Sequence, residues 1–206
     1  MGFYEKYLLP PVLSLAMGAK PIRYQRKKVV PLAEGRVLEV GMGTALNLPF
    51  YDRSKVTHLW GVEPSEGMRR VARKNVENSG MAVEWLDLPA GEIPLESGAA
   101  DTVLLTFTLC SITEWEAALQ EMRRVLKPGG RLLFCEHGAA PDQSILKWQR
   151  RITPWWKRIA GGCHLDRPIP RYLEAGGFSI LNMESEYLER VPQIAGFVYR
   201  GTARRS

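Results

Sequence analysis

"VLEVGMGTALNLPFY", residues 37–51, reads as a strand that runs into a glycine turn. Gly41 and Gly43 let the backbone approach whatever sits above the turn, since neither carries a Cβ. A dinucleotide-binding turn follows G-x-G-x-x-G, and its third glycine lets the first helix pack closely. Here that position holds Leu46, and an acid, Glu39, stands just before the turn. A pyrophosphate prefers a bare helix amino end with no carboxylate beside it. The turn therefore suits a different ligand.

Outward from this stretch, strand-like runs alternate with helical patterns, which predicts βαβ units and a parallel sheet. "RVLEV" (36–40) is the first strand and "HLWGV" (58–62) the second; "AVEWL" (82–86), "DTVLLTF" (101–107) and "RLLFCE" (131–136) follow. Ser65 is placed to cap a helix over 66–78 that Gly80 ends. Thr113 and Glu116 have capping-box spacing ahead of a stripe of Trp115, Leu119, Met122 and Leu126. "KPGG" (127–130) reads as that helix's stop. A longer connection, 138–177, carries helical periodicity at Ile145, Trp148 and Ile152 up to Pro154. The runs 178–184 and 195–203 are expected to form a hairpin at the sheet edge.

In an open parallel sheet, ligands bind beyond the carboxyl ends of the strands. The residues to weigh are therefore Glu39, Glu63, Asp87 to Gly91, Thr106 to Ser111, and Glu136 with His137. Glu63, ending the second strand, suits a ribose, whose two hydroxyls it can accept. Two such acids, flanking a G-x-G turn, favour the ribose reading over simple turn capping. S-adenosylmethionine has a ribose, no phosphate, and a sulfonium and ammonium that tolerate Glu39. It is the expected ligand of the turn.

The chain has 206 residues, 45% of them hydrophobic, enough for one α/β domain with a sizeable core. Its net charge of +6 is gathered in "RYQRKK" (23–28), "KWQRR" (147–151), "WWKR" (155–158) and the tail. No zinc-finger spacing or aromatic RNA-binding signature accompanies these clusters, so no nucleic-acid partner is expected. Three cysteines without C-x-x-C spacing suggest a reduced, cytoplasmic setting. The apolar run near the start is short and broken by Pro10 and Pro11, and it is discounted as a secretion signal.

In order along the chain, "LEVGMGTALNLPFY", "GVEPSEGM", "AGEIP", "LLTFTLCSI", "EMRRVLKPGGRLLFCEH" and "GGCHLDR" resemble the class I S-adenosylmethionine-dependent methyltransferases. The resemblance covers about residues 30–200. "TFTLCSI", "CEHG", the tryptophan-rich stretch and "GC" followed by Arg167 resemble the branch holding vertebrate microsomal thiol S-methyltransferases; bacterial proteins of similar pattern are often labelled phospholipid N-methyltransferases. The resemblance implies an α/β fold with a seven-stranded, mostly parallel Rossmann-like sheet, a C-terminal antiparallel hairpin and helices on both faces. Residues 1–206 then form a single methyltransferase domain, with 1–30 a helical lid segment and 138–177 a substrate-side insertion. The resemblance places Gly41, Met42, Gly43 and Asn47 at the methionine moiety and Glu63 at the ribose. Pro64 and Met68 would flank the adenine, Ala90 and Gly91 would meet its edge, and Thr106 and Leu109 would floor the sulfonium. Ala45 replaces the usual third glycine of the loop. The hydrophobic N-terminal anchor of the vertebrate branch has no counterpart, which argues against stable membrane residence.

Methyl transfer from a sulfonium needs position and a dry site more than elaborate machinery. A thiol acceptor must also lose its proton, and His137 at the end of the fifth strand is the candidate residue. Cys163 and Arg167 are the other candidates for the acceptor side, Arg167 to steer an anion or a thiolate. No metal-ligand spacing emerges, so no metal is expected, and Cys110 reads as core. The tryptophans of "ILKWQRRITPWWKR" are expected to form an apolar lid, with peripheral contact to an anionic membrane as the alternative. Methylation of a small hydrophobic acceptor, thiol first, is the expected function. Phospholipid N-methylation is the alternative, followed by a non-catalytic S-adenosylmethionine-binding scaffold. The oligomeric state is not fixed by these patterns.

Overall fold

A strand covered on both faces has no polar side, and β1 (Gly35–Val40) is such a strand, with residues 37–40 all buried. Leu38 and Val40 point into one apolar cluster while Val37 points into the other, as the alternation of a strand requires. The computed structural model describes residues 3–206; the first two residues of the expected lid segment lie outside them. Its sheet has seven strands in the order β3-β2-β1-β4-β5-β7-β6. β2 (Val56–Val62), β3 (Glu84–Leu86), β4 (Ala100–Thr106) and β5 (Leu126–His137) run parallel with β1. β6 (Phe178–Tyr187) and β7 (Phe197–Arg205) are antiparallel, with β7 inserted between β5 and β6. The order reverses between β1 and β4, so the carboxyl ends of those strands open the crevice where ligands bind in such sheets.

The helices begin with α1 (Leu9–Met17), preceded by a π-helical turn over Tyr4–Leu8, and α2 (Lys20–Val29). α3 (Glu66–Ser79) starts as expected, with Ser65 Oγ accepting from the Met68 amide at 3.3 Å, and ends at Gly80 with φ of 62°. α4 (Trp115–Val125) departs from expectation: no side chain caps it, and the Thr113–Glu116 box is not formed. Nor is "KPGG" a free turn between helix and strand. Ala100 pairs with Leu126 and Thr102 with Arg131, so residues 127–130 bulge out from within β5.

The larger correction concerns 138–177. One helix, α5 (Gln143–Ile159), runs straight through Pro154, where a break was expected. Pro154 lies on the exposed side, where the carbonyl it leaves unbonded can meet solvent. α5 is pinned by buried Gln149, which donates to the carbonyls of Gly138 and Ile194 at 3.1 Å each and accepts from the Ala140 amide at 2.9 Å. α6 (Ile169–Ala175) and the short α7 (Gln193–Gly196) complete the set.

α2 is strapped to the terminal hairpin. Gln25 and Lys28 each reach Glu186 at 3.1 Å, and Arg200 bonds Gln25, Glu184 and Glu186. This network holds α2 against the sheet, and Arg26 on it turns inward. Among the described residues no helix is long and apolar enough to cross a membrane.

Candidate cofactor and acceptor site

Below the glycine turn lies a buried relay of polar groups. Asn47 Nδ2 donates to Glu39 Oε1 at 2.9 Å and to Thr106 Oγ1 at 2.9 Å. Its Oδ1 accepts from Arg26 Nη1 at 2.6 Å, and the same Nη1 reaches Thr106 Oγ1 at 3.1 Å. Tyr51 closes the relay, donating to Glu39 Oε2 at 2.6 Å. All five residues are buried. Burial pushes the Glu39 carboxyl up to about 7, although its bonds with Tyr51 and Asn47 oppose that. Burial also lowers Arg26 from its ordinary value, against the opposing pull of Glu39.

Arg26 and Tyr51 are the residues that sequence reading missed. Arg26 sits in a basic run that reads as solvated surface. Its position three and four residues before Val29 and Val30, both buried, was the available signal that it shares their face.

The turn itself is built for close approach. Gly41 has φ of 69°, and a Cβ there would collide with Thr108, whose hydroxyl donates to the Gly41 carbonyl at 3.2 Å. Gly43 has φ of 56°, and a Cβ on it would meet nothing nearer than the Gly41 carbonyl at 3.9 Å. Open space therefore lies directly beside Gly43. Glu63 borders it, its Oε2 accepting from the Gly43 amide and its Oε1 from the Ser65 amide, each at 2.9 Å. Each carboxylate oxygen keeps a second lone pair for a ribose hydroxyl. Burial raises the Glu63 pKa, with the two amides opposing.

The remaining expected cofactor residues divide. Thr106 joins the relay, and Leu109 is fully buried just past β4. Pro64 is exposed and Met68 half-buried at the start of α3, while Ala90 and Gly91 are half-buried on the loop after β3. Gly91 packs toward Ala117 of α4. Met42 is a correction. Its side chain is buried and packs on Gly61 in the core, so only its backbone can face a ligand. Ala45 is strained by its backbone and not by its size. Its methyl is buried without difficulty, but φ of 61° carries a cost that a glycine would avoid.

On the acceptor side the structure joins residues far apart in sequence. His137 Nε2 lies 2.9 Å from Cys163 Sγ, and Cys110 completes a cluster whose ligand atoms all lie within 4.8 Å of one another. His137 Nδ1 and Trp156 Nε1 are buried without partners. The bond from Cys110 draws the Cys163 thiol below its ordinary pKa and raises that of Cys110. Glu136 does not orient His137. Its carboxylate accepts from the Thr108 amide at 2.8 and 3.0 Å and from the Cys110 amide at 3.4 Å, which fixes the loop after β4.

Arg167 has a different task from the one expected. It is buried and donates to the carbonyls of Leu109 at 2.5 Å and Ile112 at 2.6 Å. Both bonds brace the loop after β4, and the buried charge also helps lower the Cys163 thiol. The expected lid also changes. Trp155 is 70% exposed and Trp148 55%, each with an arginine over its ring, so both face outward. Only Trp156 turns inward, toward Cys163. A cavity of about 540 Å³ between Arg53, His58 and Met81 lies at the amino end of β2, remote from these groups.

The residues around the turn fit S-adenosylmethionine. Arg26 Nε is a buried donor without a partner, which the methionine carboxylate would supply. The open space beside Gly43, bordered by Glu63, suits the ribose.

Comparison with known proteins places the chain in a family. Residues 38–134 match the methyltransferase domain family. The chain is 38% identical to "Thiol S-methyltransferase TMT1B" of Rattus norvegicus over 73% of this chain and 63% of that protein. It is 33% identical to "Demethylmenaquinone methyltransferase" of Thermus thermophilus, covering 78% of this chain and 77% of that one. A solved S-adenosylmethionine-dependent methyltransferase from Thermotoga maritima superposes with a TM-score of 0.66 at 22% identity, over 97% of both chains. The chain belongs to the class I S-adenosylmethionine-dependent methyltransferases, and S-adenosylmethionine is the cofactor of its fold. The match spans less than two thirds of the length of the rat thiol S-methyltransferase.

Proposed function

We propose that this protein transfers the methyl group of S-adenosylmethionine to a small hydrophobic thiol. The observation that carries the reading is the meeting of His137, Cys110 and Cys163 at the carboxyl ends of β4 and β5, beside the loop that bears Leu109. In the transfer a sulfur lone pair attacks the methyl carbon, the carbon–sulfonium bond breaks, and S-adenosylhomocysteine leaves as a neutral thioether. The acceptor thiol must give up its proton first, and His137 belongs to the group that makes this possible. Similarity to thiol S-methyltransferases supports the same acceptor.

A second reading has its own support. Leu15 on α1 is 82% exposed; Ile159 at the end of α5 is 60% exposed and follows the outward Trp155 and the basic pair Lys157 and Arg158. Tyr4 Oη donates to the Ile159 carbonyl at 2.9 Å, joining the amino-terminal helix to the end of α5. An apolar face ringed by cations suits the surface of an anionic membrane. A lipid amine, or a demethylmenaquinone of the kind named for the Thermus relative, would be delivered there.

The test is S-adenosylhomocysteine release across thiols, sulfide, phosphatidylethanolamine vesicles, small amines and a reduced naphthoquinol. Turnover with thiols and sulfide alone is expected. Turnover confined to vesicles or the naphthoquinol would replace the thiol reading with the second. Within the first reading, His137→Ala is expected to lower turnover while leaving cofactor affinity intact.

A further inference from the structure

We propose that Cys110, His137 and Cys163 form a binding site for a thiophilic divalent cation of the zinc class, with one coordination position left open. Cys110 follows β4, His137 ends β5, and Cys163 lies on the loop between α5 and α6. Their Sγ, Nε2 and Sγ atoms lie within 4.8 Å of one another, and the His137–Cys163 edge measures 2.9 Å. With bonds of about 2.3 Å to sulfur and about 2.0 Å to nitrogen, a tetrahedral ion needs edges of roughly 3.5–3.8 Å between such ligands. The observed edge must open by less than about 1 Å to reach that range. The loop bearing Cys163 can make the adjustment, since Gly161 and Gly162 precede it, both at positive φ.

Ligand chemistry selects the ion. Two thiolates and an imidazole favour zinc-class metals over magnesium or calcium, which take oxygen ligands. Each cysteine that becomes a ligand releases its thiol proton to solvent, so one divalent cation replaces two protons. The charge of this buried cluster is unchanged by the exchange, which avoids stranding an uncompensated charge. The adjacent carboxylate, Glu136, is turned toward the amides of Thr108 and Cys110 and is not among the clustered ligand atoms. Three protein ligands with a free fourth position is the pattern of a site that exchanges a bound molecule, whereas structural zinc sites are closed by four. The open position can take a water or a sulfur ligand. His137 then serves the acceptor side as a metal ligand and not as a free base.

Titration of the metal-free full-length protein with Co²⁺ tests the assignment without reference to activity. One equivalent is expected to raise a near-ultraviolet sulfur-to-cobalt charge-transfer band with the visible bands of a tetrahedral ion, and Zn²⁺ should displace both. Cys163→Ala is expected to weaken binding by at least about tenfold and to diminish the sulfur band. Cys163 is only half-buried, which makes that variant the one to use; His137→Gln should weaken binding as well if Cys163→Ala proves unstable. A wild-type protein that shows no saturable band overturns the site, and so does Cys163→Ala binding with unchanged affinity and spectrum. Neither readout depends on the acceptor being a thiol.

Discussion

Arg26 on α2 donates to Asn47 beyond β1 across 2.6 Å, and Asn47 passes the contact on to Glu39 at 2.9 Å. A single amide thus stands between a buried cation and a buried acid, its oxygen toward the one and its nitrogen toward the other. The amino-terminal segment is therefore not merely a cover. It delivers a buried cation to the polar relay beneath the glycine turn.

Removing that group should affect ligands that carry a carboxylate. Arg26→Gln is expected to weaken S-adenosylhomocysteine binding by roughly 10–100-fold, the range of a lost hydrogen bond to a charged group at about 1.5–3 kcal/mol. Binding of 5′-methylthioadenosine, which lacks the carboxylate, should change little. Calorimetry with both ligands separates the outcomes, and an equal loss for both would make Arg26 purely structural.

Glu63 is expected to make the opposite kind of contact, accepting from the ribose hydroxyls. Glu63→Ala should cost two ribose hydrogen bonds of about 1–2 kcal/mol each. The amides of Gly43 and Ser65, now bonded to Glu63, lose their partner in the same variant. Unchanged S-adenosylhomocysteine affinity by calorimetry would refute the ribose assignment.

The two turn glycines should fail differently. At Gly41 a methyl collides with Thr108 and φ is 69°, so Gly41→Ala is expected to destabilise the fold by at least about 2 kcal/mol. At Gly43 the space is open and φ is 56°, so Gly43→Ala should cost about 1–2 kcal/mol of backbone strain. Its methyl projects into the space that the cofactor would use, and cofactor affinity should fall more than stability does. Urea denaturation paired with cofactor titration checks both variants.

Glu39 makes stability depend on pH. Its carboxyl is pushed up to about 7 from an ordinary 4.5, with Arg26, Asn47 and Tyr51 facing it. As pH rises past 4.5 the unfolded chain releases this proton first, while the native protein holds it until about 7. The contribution of Glu39 is therefore fully present below the lower value and is lost as pH climbs through the upper. At 1.36 kcal/mol per unit the loss is about 3 kcal/mol. Urea midpoints of the wild type and Glu39→Gln at about pH 5 and about pH 8 should show a smaller difference in the variant. An identical difference would show that the Glu39 pKa is close to its unfolded value.

Much of this architecture was readable in local patterns. Strand runs, the Ser65 cap, the Gly80 stop and the parallel order all follow from periodicity and turn chemistry, which act over a few residues. The glycine turn with Glu39 and Glu63 pointed to a ribose without a pyrophosphate for the same reason. The misreadings arose where distant contacts overrode local signals. Pro154 looked like a break, yet α5 continues through it, with Pro154 on the exposed side and Gln149 held by tertiary contacts on the buried side. Arg167 looked like a group for an anion, yet two backbone carbonyls of the loop after β4 claim it.

The sequence by itself determined the class of fold, the order of its strands, and the acids Glu39 and Glu63 that flank the glycine turn at their carboxyl ends. Those depend on alternation, chirality and spacing within single βα units. Only the tertiary structure decided that Met42 turns into the core, that Trp148 and Trp155 face outward, and that Arg26 faces inward. It alone brought Cys110, His137 and Cys163 together. Nothing in their spacing encodes that meeting, because the loop after β4, the end of β5 and the loop between α5 and α6 come together only in the folded chain.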